Sequence, residues 1–220
     1  MQKRTDSRGI PRTAEICLSL AGLALLFPLF VALAVLVRSS SKGAVFFRQK
    51  RIGLGGSEFV LYKFRSMRSD CEGLKLTARD DLRLTRVGKL LRRYKLDELP
   101  QLWNVLRGDM SFVGPRPEVA EYVDLKNHLW REILAVRPGI TDPVALRLRN
   151  EEQLLATVED KEAFYTEILQ PFKLRGWAEY ARHKTWKTDL SVLLRTFIVI
   201  LLPNTAAPPT PEELSVAVID

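Results

Sequence analysis

Two adjacent carboxylates, Asp97 and Glu98, stand where cationic side chains gather. Arg92, Arg93 and Lys95 lie just upstream, and Arg116 sits downstream between Pro115 and Pro117. Carboxylates among fixed cations suit a metal or a phosphorus centre, and therefore phosphoryl transfer. Leu99, Leu102, Trp103 and Leu106 follow at helical spacing, and Gly108 is a stop signal. The spacing predicts a helix beginning at the acidic pair, with Asp97 at or next to its N-cap. Backbone N–H groups there favour negative charge and can also receive a phosphate. An Asp in that place is more often only a cap, so the rest of the chain has to decide.

The elements that would position this pair are short. Val45–Ile52 and Phe59–Arg65 read as two strands around Gly53-Leu54-Gly55-Gly56. No Gly-Lys-Ser/Thr follows the glycines, so a hairpin turn is the better reading than a phosphate loop. Alternation puts Lys63 and Arg65 on one strand face, which by itself reads as a solvated face. Residues 69–84 read as an exposed loop, and Val87–Tyr94 as a short basic helix leading into the acidic pair. Val119–Val136 reads as an amphipathic helix. Pro138-Gly139 and Asp142-Pro143 mark a turn-rich segment with Arg137, Arg147 and Arg149. Residues 151–183 read as polar helix with a break near Pro171. His128 and His183 are isolated, and Cys17 and Cys71 form neither a disulfide framework nor a zinc spacing.

The charge of +8 is unevenly spread: residues 1–68 hold 12 Lys/Arg against 3 Asp/Glu, and the remainder is nearly balanced. Basic excess around an apolar stretch suits an anionic membrane surface better than nucleic acid. Ile16–Val37 is that stretch, 22 residues without a charge. It is long enough to span a hydrocarbon core. Yet Pro28 falls near its middle and basic residues flank both ends, so the positive-inside rule sets no single orientation. A kinked span and a helix that enters and leaves the same leaflet both remain open. Leu190–Leu202, 13 residues with Arg195, is too short to span and reads either as an interfacial helix or as a buried core helix. The proline-rich tail from Pro203 is expected to be disordered.

Four blocks carry a resemblance: Tyr62-Lys63-Phe64-Arg65-Ser66-Met67; Lys95-Leu96-Asp97-Glu98-Leu99-Pro100-Gln101-Leu102-Trp103-Asn104-Val105-Leu106; Arg107-Gly108-Asp109-Met110-Ser111-Phe112-Val113-Gly114-Pro115-Arg116-Pro117; and Val136-Arg137-Pro138-Gly139-Ile140-Thr141. Together they resemble the signature blocks of the bacterial sugar transferases, the monotopic polyprenyl-phosphate phosphoglycosyl transferases, over about residues 14–200. The resemblance implies transfer of a sugar-1-phosphate from a UDP-sugar to polyprenyl phosphate, with UMP leaving and Mg2+ required. It implies a bacterial inner-membrane enzyme whose catalytic domain faces the cytoplasm, with membrane lipids around it and a homodimer compatible with it. By the same resemblance Asp97 is the nucleophile of a covalent intermediate and Glu98 binds the metal. Lys63, Arg65, Arg92, Arg116, Arg137 and Arg149 match basic substrate-binding positions, and Asp189 a late acidic one. It also favours the re-entrant helix, broken at Pro28. Two departures stand out: Phe27 precedes that proline where members often have Ser, and Asp142-Pro143-Val144 follows Thr141 where many continue Gly-Trp. With no multi-span region ahead, the likeness is to the small, catalytic-unit form.

The expected fold is α+β, mainly helical around one β-hairpin, with interfacial amphipathic helices. Its parts are a basic segment (1–13), the re-entrant helix (14–38), a cytoplasmic catalytic domain (39–202) and the tail (203–220). Two alternatives are weaker. A basic nucleic-acid-binding module accounts for the pI near 9.7 but not for the acidic pair beside arginines. A non-catalytic membrane scaffold would tolerate loss of Asp97 or Glu98, and both are present.

Overall fold

Helices α1 (Arg12–Leu25) and α2 (Phe27–Ser40) meet at Leu26 with a bend of 61° in the computed structural model. The structure describes residues 8–68, 81–202, 205 and 207–216. Outside these lie 1–7 of the basic segment, 69–80 of the expected loop with Cys71, and parts of the tail. Pro28, in the first turn of α2, has no N–H to continue the ladder of α1. The Leu26 N–H turns back to Gly22 O at 2.9 Å, and Phe30 N restarts the ladder on Leu26 O at 2.9 Å. The bend therefore forms without a serine before the proline. Among the described residues no single helix is long and apolar enough to cross a membrane. The bent pair reaches that length and composition together. Much of its apolar surface is exposed, Leu25 at 81% and Phe27 at 65%.

One polar side chain ties this pair to the body. Glu15 is 2% exposed, and its carboxylate accepts from the Ser111 hydroxyl, from Phe112 N and from Arg12. Arg12 also donates to the carbonyls of Val105 and Leu106 in the last turn of the helix Gln101–Arg107, where helix carbonyls lack partners.

The hairpin forms as expected, β1 (Phe46–Ile52) antiparallel to β2 (Glu58–Phe64), with Phe46 opposite Phe64 and Ile52 opposite Glu58. Helix α3 (Arg86–Arg93) follows, its N-terminus capped by the Thr85 hydroxyl on Gly88 N at 2.8 Å. Gly88 lets α3 lie on the backbone of Ser66, since a Cβ there would fall 1.8 Å from Ser66 O. Helix α4 (Gln101–Arg107) is stitched to β2 by Asn104, which is fully buried. Its Oδ1 accepts from Tyr62 N at 3.1 Å and its Nδ2 donates to Val60 O at 2.7 Å. This one amide satisfies the open edge of the hairpin as a strand would.

A second, parallel pair joins β3 (Ser111–Val113) to β4 (Gly139–Thr141), which the single-hairpin reading lacked. It depends on Gly114 and Gly139, because a Cβ on Gly139 would sit 2.0 Å from Gly114 N. A three-residue pair of this kind leaves almost no alternation to read in sequence.

Helices α5 (His128–Ile133), α6 (Pro143–Arg147), α7 (Glu151–Ala156), α8 (Lys161–Phe164), α9 (Gln170–His183) and α10 (Trp186–Leu201) build the rest around Trp130, Leu169, Leu174 and Trp177. The long helix expected over Val119–Val136 is instead a 3-10 turn (Ala120–Tyr122) followed by α5. Asn127 interrupts it by accepting from Leu129 N at 2.9 Å, a side-chain cap that restarts the helix. The break expected near Pro171 falls at 157–160, where Asp160 caps α8. Pro171 sits in the first turn of α9, directly after a π-turn (Tyr165–Leu169). Helix α10 keeps an exposed apolar face, with Leu194, Phe197 and Leu201 at 59%, 66% and 64%. In the tail, expected to be disordered, the described residues include a helix α11 (Pro211–Val216), held by Glu213 on Arg147 at 2.6 Å.

Candidate active site

Helix α3 ends in Tyr94, and Lys95 then takes a left-handed conformation with φ of 56°. It is the one non-glycine residue with positive φ among those described. Such a conformation is strained for a lysine and turns the chain sharply. Leu96–Glu98 follow as a single 3-10 turn, and α4 starts only at Gln101. Asp97 therefore does not cap α4, whose N-cap is Pro100 and carries no side-chain bond.

The acidic pair is buried, Asp97 at 5% and Glu98 at 7% exposed. Glu98 Oε1 accepts from Lys63 Nζ at 2.9 Å and from Arg116 Nη2 at 2.7 Å. Burial alone would raise its pKa, but the Arg116 and Lys63 charges win and hold it well below the usual carboxylate range. The same contacts push the Arg116 guanidinium further up, chiefly through Glu98, whereas burial outweighs Glu98 at Lys63 and draws its ammonium down to about 8. Asp97 goes the other way. Burial raises its pKa, Lys63 counters in part, and the neighbouring Glu98 charge adds to the rise. Its Oδ1 is buried and has no hydrogen-bond partner among the described residues. A buried carboxylate oxygen left unpaired is costly and uncommon, and accounts for itself best when a ligand completes it.

Three elements converge to build this. Lys63 comes from the C-terminal end of the hairpin strand β2, the pair from the 3-10 turn, and Arg116 from the loop after β3. Arg92 at the end of α3 adds its charge to the surroundings of Asp97, while bonding Ser66 Oγ at 3.0 Å and Glu152 at 2.6 Å.

The other expected substrate residues are placed elsewhere. Arg65 lies one residue past β2, so the strand alternation that paired it with Lys63 has ended. Its guanidinium donates to the carbonyls of Val37, Ala44 and Ser41, where it closes the C-terminal end of α2. Arg137 Nε donates to Gly108 O at 3.1 Å, behind α4. Arg149 has a buried Nη1 without a partner among the described residues, and burial lowers its pKa. It makes no hydrogen bond to the acidic pair. Asp189 is fully buried and accepts from Tyr180 Oη at 2.6 Å and Ile10 N at 3.1 Å, which ties the N-terminal segment to α10.

Residues not picked from the sequence surround Arg116. Glu118 bonds Tyr165 Oη at 2.7 Å and Arg51 at 3.4 Å, and Glu151 pairs with Lys173 at 2.7 Å. Glu118 directly follows the Pro115-Arg116-Pro117 block, and Glu151-Glu152 follow Arg149-Asn150. Adjacency to those blocks was the available signal.

Among the described residues no group of three or more His, Cys, Asp or Glu could hold a metal ion. Magnesium, however, usually takes one or two carboxylates and completes its shell with water and substrate phosphate. The acidic pair fits that kind of site: both ion pairs of Glu98 fall on Oε1, and Asp97 Oδ1 is unpaired.

The chain is similar to known proteins over most of its length. The family model described as "Bacterial sugar transferase" matches residues 7–203. A UDP-glucose:undecaprenyl-phosphate glucose-1-phosphate transferase of Xanthomonas campestris pv. campestris is 40% identical over 189 residues, 82% of this chain and 36% of that protein. A UDP-N-acetylgalactosamine-undecaprenyl-phosphate N-acetylgalactosaminephosphotransferase of Aeromonas hydrophila is 44% identical over 139 residues, 60% of this chain and 32% of that protein. A UDP-glucose:undecaprenyl-phosphate glucose-1-phosphate transferase of Caulobacter vibrioides is 37% identical over 189 residues, 83% of this chain and 66% of that protein. The chain thus spans about a third of the length of the first two relatives. With the match running through the hairpin, the acidic pair and the Arg116 loop, the chain belongs to the bacterial sugar transferase family.

Proposed function

We propose that this chain is a phosphoglycosyl transferase that moves a sugar-1-phosphate from a UDP-sugar to polyprenyl phosphate, releasing UMP. The observation that carries the proposal is the buried Asp97 carboxylate, whose Oδ1 has no partner among the described residues, beside a Glu98 pinned by Lys63 and Arg116. The relatives' names supply the substrate classes. Asp97 attacks the phosphorus that bears the sugar, and the bond from that phosphorus to the UMP oxygen breaks, with UMP taking the electron pair. The resulting aspartyl phosphosugar is attacked by a phosphate oxygen of the polyprenyl phosphate. The Asp97 carboxylate leaves, and a polyprenyl diphosphate sugar is formed.

Arg116 and Lys63 supply fixed positive charge where the diphosphate must lie, and Arg92 adds to it. Bidentate geometry suits Arg at position 116, where two prolines restrict the backbone. Glu98, together with the substrate diphosphate, would hold Mg2+. When bound, that ion draws charge from the diphosphate and eases departure of UMP.

The setting we propose is the cytoplasmic face of the bacterial inner membrane, as a first membrane step of glycan assembly such as exopolysaccharide, capsule, O-antigen or glycoprotein. The exposed apolar faces of the bent pair and of α10 support membrane contact, with the pair entering and leaving one leaflet. The test uses the full chain in detergent or membranes with a panel of UDP-sugars and labelled UMP. Label exchange into UDP-sugar without lipid acceptor, for at least one sugar, is expected; its absence for every sugar rejects the covalent route. Release of UMP only on addition of undecaprenyl phosphate would point to direct transfer instead.

A further inference from the structure

Arg116 reaches Glu98 from a loop that offers few donors of its own. Pro115 and Pro117 have no N–H, so the loop is held largely through its carbonyls. Pro115 O accepts from Gly139 N at 3.0 Å, Pro117 O from Arg51 Nη1 at 3.0 Å, and Glu118 O from Ile52 N at 2.9 Å. The Glu118 side chain then closes the arrangement, between Arg51 at 3.4 Å and the Tyr165 hydroxyl at 2.7 Å. Glu118 is 6% and Tyr165 2% exposed, so neither group has much water to fall back on.

Tyr165 is itself firmly set. It opens the π-turn before α9, its ring lies 4.9 Å from that of Tyr122, and Lys173 Nζ stands 4.5 Å over its face. π-Turns cost regular hydrogen bonding and recur at functional sites. A phenylalanine would fill the same apolar space, so the hydroxyl is there for Glu118. The charges of Glu118 and Glu151 also act on Arg116.

We propose that Tyr165 is a positioning residue: its hydroxyl holds Glu118, and through Glu118 and Arg51 it fixes the Arg116 guanidinium where the substrate diphosphate binds. This rests on reading the site as a sugar-phosphate transferase. It adds that a residue on α9's π-turn sets substrate affinity through the Arg116 loop without touching substrate.

The test is a double-mutant cycle on the full chain with Tyr165→Phe, Arg116→Ala and the pair, reading kcat, KM for UDP-sugar, UMP affinity and thermal unfolding. UMP titration reports even where a variant turns over slowly. Tyr165→Phe alone should weaken UMP binding and lower kcat/KM about 10-fold, the size expected for one hydrogen bond to a charged group. In the Arg116→Ala background the same change should cost less than about 2-fold, while its effect on unfolding temperature stays the same. Glu118→Gln, which keeps shape but loses the charge facing Arg51, should weaken UMP binding in the same way. Equal losses in both backgrounds, or none in the single variant, overturn the inference. A wild-type chain that turns over no UDP-sugar and binds no UMP would instead sink the reading of the site itself.

Discussion

Replacing Asp97 by Asn should make the protein more stable while abolishing UMP exchange. The carboxylate is 5% exposed, its Oδ1 has no partner, and Glu98 with its negative charge is the adjacent residue. Burying an unsatisfied polar group costs about 1–3 kcal/mol, and a charged one costs more than a neutral amide. Removing the charge should therefore recover about 1–2 kcal/mol, or roughly 2–8 °C in unfolding temperature for a domain of this size. The pH dependence gives an independent check. Because the folded-state pKa of Asp97 lies above its ordinary 3.8, mainly through burial, the folded chain holds its proton more tightly than the unfolded one. Its contribution to stability is thus fully present below 3.8 and lost as pH rises through the folded value. The advantage of Asp97→Asn over wild type should be large at pH 7 and shrink toward pH 4. Differential scanning fluorimetry in one detergent across that range, alongside label exchange between UMP and UDP-sugar, reads both effects. A variant less stable than wild type at pH 7 would show that Asp97 is a paired structural group. Retained exchange would remove it as the nucleophile.

Other outcomes follow from the same geometry. Lys63, drawn down to about 8 chiefly by burial, should lose its proton above that pH, so kcat/KM should fall there. Its stability contribution should run the opposite way, rising between about 8 and 10.5 as the buried charge is relieved. Lys63→Arg should move the alkaline limb of the rate profile upward; an unmoved limb would assign it to another group. Glu98→Gln, which strips Lys63 and Arg116 of their shared partner, should destabilise by about 3 kcal/mol and abolish rescue by Mg2+ after chelation. Full activity in excess EDTA would exclude the metal from the mechanism. Arg65→Ala should leave KM for UDP-sugar within about 2-fold and lower stability by about 1–3 kcal/mol, because it uncaps α2. A large rise in KM without loss of stability would return Arg65 to the substrate site.

The differences between the local pattern and the fold share a cause. Arg65 and Lys63 share a face only if the strand continues, and β2 ends between them, at Phe64. Val119–Val136 carries an apolar pattern, yet Asn127 offers the backbone a local bond that stops and restarts the helix. Asp189 was matched by resemblance to an acidic position and proves to be the acceptor for Tyr180 and Ile10, a tie across 179 residues. Glu118 and Tyr165 form a pair 47 residues apart, and nothing in their immediate neighbours announces it.

Local order along the chain was enough to establish the hairpin, the break at Pro28, the acidic pair between basic residues and the family. Those features rest on interactions between near neighbours: glycine turns, a missing proline N–H, side chains a few positions apart. Tertiary packing alone decided that Asp97 is not a helix cap but a buried carboxylate with an unpaired oxygen. It also decided which cations face Glu98. A charge's partner and its distance from water depend on where distant segments come together in three dimensions, and ionisation follows from both.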